Sequence, residues 1–195
     1  MKRKKLRDEG KSIGSDLEIT IHLEKGKKRL SKRYRKGVGA LILNQKGDKI
    51  FVAKRASNKF ESSGANKDQT IQLPQGGMDK GERKRDSLFR EIYEEIGVNK
   101  NKFKLLFQTF KPFSYLFPQS VARNIYNGRY IGQSITWYCL RFLGKDEDFV
   151  LDRYEPAEFS KWLWVRPQDL LENSVDFKRT IYKKVLNHFN QFIMK

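Results

Sequence analysis

The chain has 195 residues, with 41 Lys and Arg against 23 Asp and Glu, a formal net charge of +18. Such an excess favours a polyanionic partner, nucleic acid or an anionic membrane surface, without choosing between them. The length suits one domain of ordinary size with a short appendage. A membrane-spanning helix is excluded, because no run of about 18 apolar residues exists. The N-terminus MKRKKLRDEG lacks the apolar core of a secretory signal and carries acids that a transit peptide avoids, so a cytoplasmic protein is expected. Its one cysteine, Cys139 in TWYCLRFLG, rules out an internal disulfide and reads as a buried, inert thiol.

In chain order, residues 1–33 read as a basic extension. The first 37 residues hold 14 Lys and Arg against 5 Asp and Glu, half of the total excess in a fifth of the chain. Residues 1–16 are poor in apolar side chains and look disordered. LEITIHL at 17–23 alternates at period two, as a half-exposed strand would. The main domain, 34–195, opens with VGALILN (38–44) and KIFVAKR (49–55), which flank QKGD as a hairpin with Gly47 in the turn. Residues 56–70 are polar and turn-rich, hence a loop. The spacing predicts a helix over 82–96 capped by Gly97, and strands over 103–110, 135–143 and 160–165. The segment between the first two of these strands, with Tyr115 and Pro118, reads as irregular. Phe177, Ile181, Val185, Phe189 and Ile193 recur every fourth residue and predict a C-terminal amphipathic helix. Strands and helices mix without a regular βαβ repeat, which indicates an α+β fold with a sandwich architecture.

The chemistry concentrates in PQGGMDKGERKRDSLFREIYEEIGV, residues 74–98. With Leu88 at zero on a helical wheel, the apolar residues Ile92, Ile96, Phe89 and Tyr93 span about 140°. Glu91, Glu94 and Glu95 fall at about 300°, 240° and 340°, bordering that stripe. Like charges three and four apart destabilise a helix by a few tenths of a kcal/mol per pair, and anions at a helix C-terminus by roughly 0.3–1 kcal/mol each. A divalent cation resolves the conflict, since hard Mg2+ prefers carboxylate oxygen and completes its shell with water and phosphate. A solvated acidic face bridged to lysines is the competing account. Arg90, four residues before Glu94 and four after Asp86, is placed to hold this face in position. Pro74, Gly76, Gly77 and Gly81 supply a bent backbone able to approach an ion or phosphate closely.

The spacing Gly76, five residues, Glu82, seven residues, then REIYEEIGV from Arg90 to Val98 resembles the complete Nudix box of the Nudix hydrolase superfamily. YRKGVGALILN, QLPQGGMDKGE, GRYIGQSITWYCLRFLG, PAEFSKWLWV and VDFKRTIYKKV extend the likeness over most of residues 34–190, to the bacterial RNA 5′-pyrophosphohydrolase and dinucleoside polyphosphate hydrolase family. The resemblance implies a Nudix α/β/α sandwich with a mixed sheet and metal-dependent hydrolysis of phosphoric anhydrides. It implies Mg2+, with Mn2+ as a substitute, at Glu91, Glu94 and Glu95 and at a backbone carbonyl near Gln75 and Gly76. Position by position it adds a late carboxylate at Asp148, with Glu147 as the rival. It further implies phosphate and nucleotide contacts at Arg35, Arg55, Tyr115 and Gln133, and a base-contacting pair at Phe177 and Lys178. Phe177 also fits the first rung of the C-terminal helix's apolar stripe.

The chain departs from the family pattern at Ile71, where Trp is usual, in the length of the loop at 56–70, and in the extension before Tyr34. The expected activity is Mg2+-dependent hydrolysis of the 5′ triphosphate or diphosphate end of RNA to 5′-monophosphate RNA, with Glu95 the first choice among the cluster for general base. Dinucleoside polyphosphates such as diadenosine tetraphosphate are the alternative substrate. A catalytically silent RNA-binding module would carry a broken box, and this box is intact.

Overall fold

The computed structural model describes residues 33–56, 71–124 and 126–194. The strand expected at 17–23 and most of the loop at 56–70 lie outside the described residues. Eight strands form one mixed sheet: β1 (Arg33–Leu43), β2 (Ile50–Arg55), β3 (Ile71–Gln72), β4 (Gln75–Gly77), β5 (Phe103–Gln108), β6 (Phe113–Leu116), β7 (Tyr130–Phe142) and β8 (Phe159–Val165). The main order is β3-β2-β1-β7-β5, with β4 paired to β1, β6 to β7 and β8 to β2. β1 and β7 run parallel over their full length, while the remaining pairings are antiparallel.

A strand covered on both faces reads as a continuous apolar run, which is the composition of VGALIL. Its alternation sorts the core into two layers. Val38, Ala40 and Ile42 face a cluster with Tyr138, Leu140 and Phe142 of β7 and with Leu88, Ile92 and Ile96 of the helix α1 (Lys84–Ile96). Leu41 and Leu43 face the opposite cluster, with Trp137 and Cys139 of β7, Leu170 of α3 (Pro167–Asn173), and Ile181, Tyr182, Val185 and Phe189 of α4 (Asp176–Phe189). The result is the α/β/α sandwich. Leu88, Ile92 and Ile96 each contribute about 1.5–3 kcal/mol by burial, far more than the like-charge repulsion along the same helix removes.

Several boundaries differ from the expectation. α1 begins at Lys84 rather than Glu82, because Arg83 is extended (φ −76°, ψ 140°) and acts as the N-cap. Gly97 closes it in the left-handed conformation (φ 72°), donating to the Tyr93 carbonyl. The segment read as irregular contains β6 and a short helix, α2 (Gln119–Asn124). β6 exists through its ladder to β7, Phe113 opposite Ile135 to Leu116 opposite Gly132, a non-local pairing without a local signal. The same ladder and β1 extend β7 back to Tyr130. Gly47 takes the expected turn (φ 90°), and its N–H donates to the Asn44 side chain at 2.7 Å. Cys139 is buried, and burial pushes its thiol up to about 12. Among the described residues no helix is long and apolar enough to cross a membrane.

Candidate active site

β4 pairs with β1, Gly37 opposite Gly77 and Gly39 opposite Gln75, which lays the Gln75–Gly77 loop along the start of α1's acidic flank. Glu95 is buried, with 6% exposure, and its carboxylate accepts the Gln75 backbone N–H at 3.1 Å. The Glu91 carboxylate packs directly on Gly76, where any Cβ would overlap it. Gly76→Ala is therefore expected to displace Glu91 and lower turnover by about 100-fold, the effect of a misplacement near 1 Å. Steady-state kinetics beside a melting curve checks this, the fold being retained.

Arg90 ties the flank together. Its Nε and Nη2 donate to the two oxygens of Glu82 at 2.9 Å each, and Nη2 also reaches the Gly77 carbonyl at 2.9 Å. Nη1 donates to Glu91 at 3.0 Å and Glu94 at 3.1 Å. Glu82 also accepts from the Ser87 hydroxyl. The Arg90 hydrogen bond, followed by that of Ser87, holds the Glu82 carboxyl down at about 2. Arg90 does hold the acidic face, but not through Asp86, which pairs with Arg83 at 2.6 Å.

The remaining charge is unbalanced. Burial first, then the fields of Glu158 and Glu91, pushes the Glu95 carboxyl well above the usual range, against the opposing pull of Arg55 and the Gln75 N–H. Burial also raises Glu91, against Arg90. Among the described residues no three acidic, histidine or cysteine side chains converge as an ion cage in this arrangement, since Glu91 and Glu94 both lean on Arg90. The donor chemistry nevertheless fits a hard divalent cation: carboxylate oxygens around a glycine backbone, with a buried glutamate disfavoured as an anion for want of positive charge.

Asp148, expected as the late carboxylate, is elsewhere. One of its oxygens pairs with Lys102 at 3.1 Å, and the other accepts the Lys145 N–H of its own turn at 2.8 Å. The acid that reaches the cluster is Glu158, ion-paired to Arg55 at 2.6 Å. It is delivered by the β2–β8 ladder, in which Arg55 stands opposite Phe159. The signal was present as the acid opening the apolar run EFSKWLWV, but only the strand register relates it to Glu95.

The substrate side is also assembled by the sheet. Arg35 on β1 stands beside Gln133 on β7, and its guanidinium lies over Gly77, so closely that a Cβ there would collide with it. Gln133 is buried and accepts from Gln75 Nε2 at 3.0 Å and from the Tyr115 hydroxyl; Gln75 Nε2 also donates to that hydroxyl at 3.2 Å. Burial pushes the Tyr115 phenol up. Phe177 packs against the core, its ring 6.0 Å from that of Tyr115. Lys178 is the other member of the base-contacting pair that the resemblance implies. It is buried, donating to Gln72 Oε1 at 2.8 Å, and burial with the nearby Arg55 brings its ammonium down to about 7. The turn of the helix points Lys178 inward, onto Gln72.

Residues 33–185 match the family profile described as NUDIX domain. The chain is 36% identical over 160 residues to an RNA pyrophosphohydrolase of Novosphingobium aromaticivorans, covering 82% of this chain and 94% of that protein. It is 37% identical over 161 residues to an RNA pyrophosphohydrolase of Orientia tsutsugamushi (strain Boryong), covering 83% and 92%. The fold is similar to that of a C. elegans Ap4A hydrolase (TM-score 0.56, 15% identity, 80% of this chain and 98% of that one). It is also similar to the E. coli dihydroneopterin triphosphate pyrophosphohydrolase (TM-score 0.59, 13% identity, 80% and 98%). Hydrolases of this kind generally use divalent metal ions. From the box on α1, the sandwich that presents it and the match along 33–185, the chain belongs to the Nudix family.

Proposed function

We propose that this protein hydrolyses the 5′ triphosphate or diphosphate end of RNA to 5′-monophosphate RNA, releasing pyrophosphate or phosphate in the cytoplasm and opening the RNA to decay. The observation that carries the reading is one glycine loop held by carboxylates and a guanidinium together: buried Glu95 on the Gln75 N–H, Glu91 on Gly76 and Arg35 on Gly77. Bound among Glu91, Glu94, Glu95, Glu158 and the Gln75–Gly76 backbone, a divalent ion, Mg2+ in this reading with Mn2+ as a substitute, would lower the pKa of water and neutralise phosphate oxygens. Glu95 is the general base in this reading: its carboxylate, held by the Gln75 N–H, takes the proton of the attacking water. The water oxygen bonds to phosphorus as the anhydride P–O bond breaks, and the leaving phosphate departs with the electron pair. Arg35 and Arg55 hold the phosphate chain through charge-assisted hydrogen bonds. Arg55 does so while paired to Glu158, which fixes its orientation. Residues 1–32, ahead of β1, supply basic charge to the polymer in this reading.

The net charge of +18 favours RNA over a dinucleoside polyphosphate, because only a polymer engages cations far from the reacting phosphates. Rates on a triphosphorylated oligonucleotide and on diadenosine tetraphosphate, each across a salt series, test this. The expected result is a higher kcat/KM on the oligonucleotide, falling steeply with salt. A preference for diadenosine tetraphosphate with a shallow salt dependence would assign the dinucleoside activity instead.

A further inference from the structure

Between α2 and β7 the chain makes three consecutive left-handed residues, Tyr126 (φ 53°), Asn127 (φ 53°) and Gly128 (φ 68°). Glycine takes this conformation freely and asparagine tolerates it, but for a tyrosine it is uncommon and costs energy, so something outside the turn must hold it. The structure shows what does. The Arg35 guanidinium lies 4.6 Å above the centre of the Tyr126 ring, and the Tyr130 ring meets it at 78° with centroids 5.7 Å apart. The same guanidinium rests on Gly77 of the catalytic loop, so an unbroken line of contact runs from the loop through Arg35 to Tyr126. Despite these two contacts the residue keeps 40% exposure, and no mechanistic step described above uses it.

We infer that Tyr126 is a stacking platform for a nucleobase at the 5′ end of the substrate, an affinity-determining contact held in place by Arg35. This deepens the reading of the site as one for 5′-phosphorylated RNA. A ring with a cation fixed near one face, a strained turn holding it and open surface at the mouth of a phosphate site suits the flat face of a base. Stacking of this kind accepts any base and is supplemented by an adjacent guanidinium. Tyr115 offers a base no comparable open surface, being buried with 8% exposure. Phe177 lies behind it against the core. Arg35 then has two duties: it binds phosphate and it positions the ring, so that phosphate and base are read by one connected unit.

The test is equilibrium binding of 5′-monophosphorylated tetranucleotide RNA, which carries no anhydride to cleave. Counterparts abasic at the first or the second nucleotide are compared for the wild type and for Tyr126→Ala, Tyr126→Phe and Tyr126→Trp. For the wild type, loss of one of the two bases should weaken binding by about 5- to 100-fold, the range of base–aromatic stacking. Tyr126→Ala should bind the intact RNA more weakly by a similar factor and no longer distinguish it from the abasic form. Phe and Trp at this position should retain the discrimination. Equal affinity of the wild type for intact and abasic RNA, or base discrimination that survives Tyr126→Ala, would overturn the assignment. Because no turnover is measured, a failure of the proposed RNA hydrolysis shows separately, as an inert triphosphorylated oligonucleotide.

Discussion

Glu95→Gln is expected to give a folded protein with turnover reduced by about 10²- to 10⁴-fold, the range for loss of a general base, and with a higher melting temperature in the absence of metal. Both effects have one origin. The Glu95 carboxylate is buried and in the fields of Glu158 and Glu91, so ionising it opposes folding, whereas an amide can keep the bond from the Gln75 N–H. The sign follows from proton linkage. A carboxyl whose pKa is raised in the folded state keeps its proton there while the unfolded chain has lost its own, so stability falls as pH rises from the unfolded value until the folded pKa is passed. The gap between the variant and the wild type should therefore open above pH 4.5 and widen as pH rises. Added Mg2+ should close or reverse the gap, because a ligand that binds the native state stabilises only the protein able to hold it. Thermal melts in chelator and in Mg2+ across pH 4–8, with single-turnover rates, decide the matter. A variant less stable than the wild type in chelator at neutral pH would contradict this account of the site.

The second large effect belongs to Arg90. Arg90→Met removes the partner of Glu82, Glu91 and Glu94 and the donor to the Gly77 carbonyl, leaving half-buried anions facing one another. A fully buried pair broken on one side loses 3–5 kcal/mol; with 29% of the Arg90 side chain exposed, solvent screening reduces the expected loss to about 2–3 kcal/mol. That corresponds to a fall of about 5–10 °C in Tm. Arg90→Lys should recover little of it, since an ammonium cannot make the two-pronged contact with Glu82 and reach Gly77 as well. The pH dependence again has a definite direction. Glu82 is held at about 2 against an ordinary 4.5, so the pairing contributes fully above pH 4.5 and is lost as pH falls through the folded value. The difference in stability between wild type and Arg90→Met should thus shrink between pH 4.5 and 2. A constant difference over that interval would show that the contact acts through packing alone.

What could be read from the sequence, and what could not, divides by the range of the interactions involved. The α1 glutamates, the Gly97 cap and the apolar stripe that docks the helix are relations among residues three to eight apart. Helical geometry converts such spacings directly into positions. The two faces of β1 follow from strand alternation in the same way. β6 has no such local cause: FSYL becomes a strand because β7 is beside it. The resemblance puts the late carboxylate at Asp148, with Glu147 as the rival, but a position matched along the chain carries no information about which acid returns to the cluster. The β2–β8 register does, and it returns Glu158. Lys178 shows the same division at one residue. Its place near the start of α4 was visible, but burial beneath Gln72 depends on how the helix turns against β3.

The sequence by itself therefore determined the family, the sandwich and the acidic helix with its glycine loop, since each is written in short periodicities and fixed spacings that elementary chain geometry translates. Only the tertiary structure decided which fourth carboxylate faces Glu95, how Arg90 divides its donors, and that Tyr126 is held under Arg35 at the mouth of the site. Those facts arise where segments tens of residues apart are brought together by sheet register, and register is set by the packing of the whole core rather than by any stretch of the chain alone.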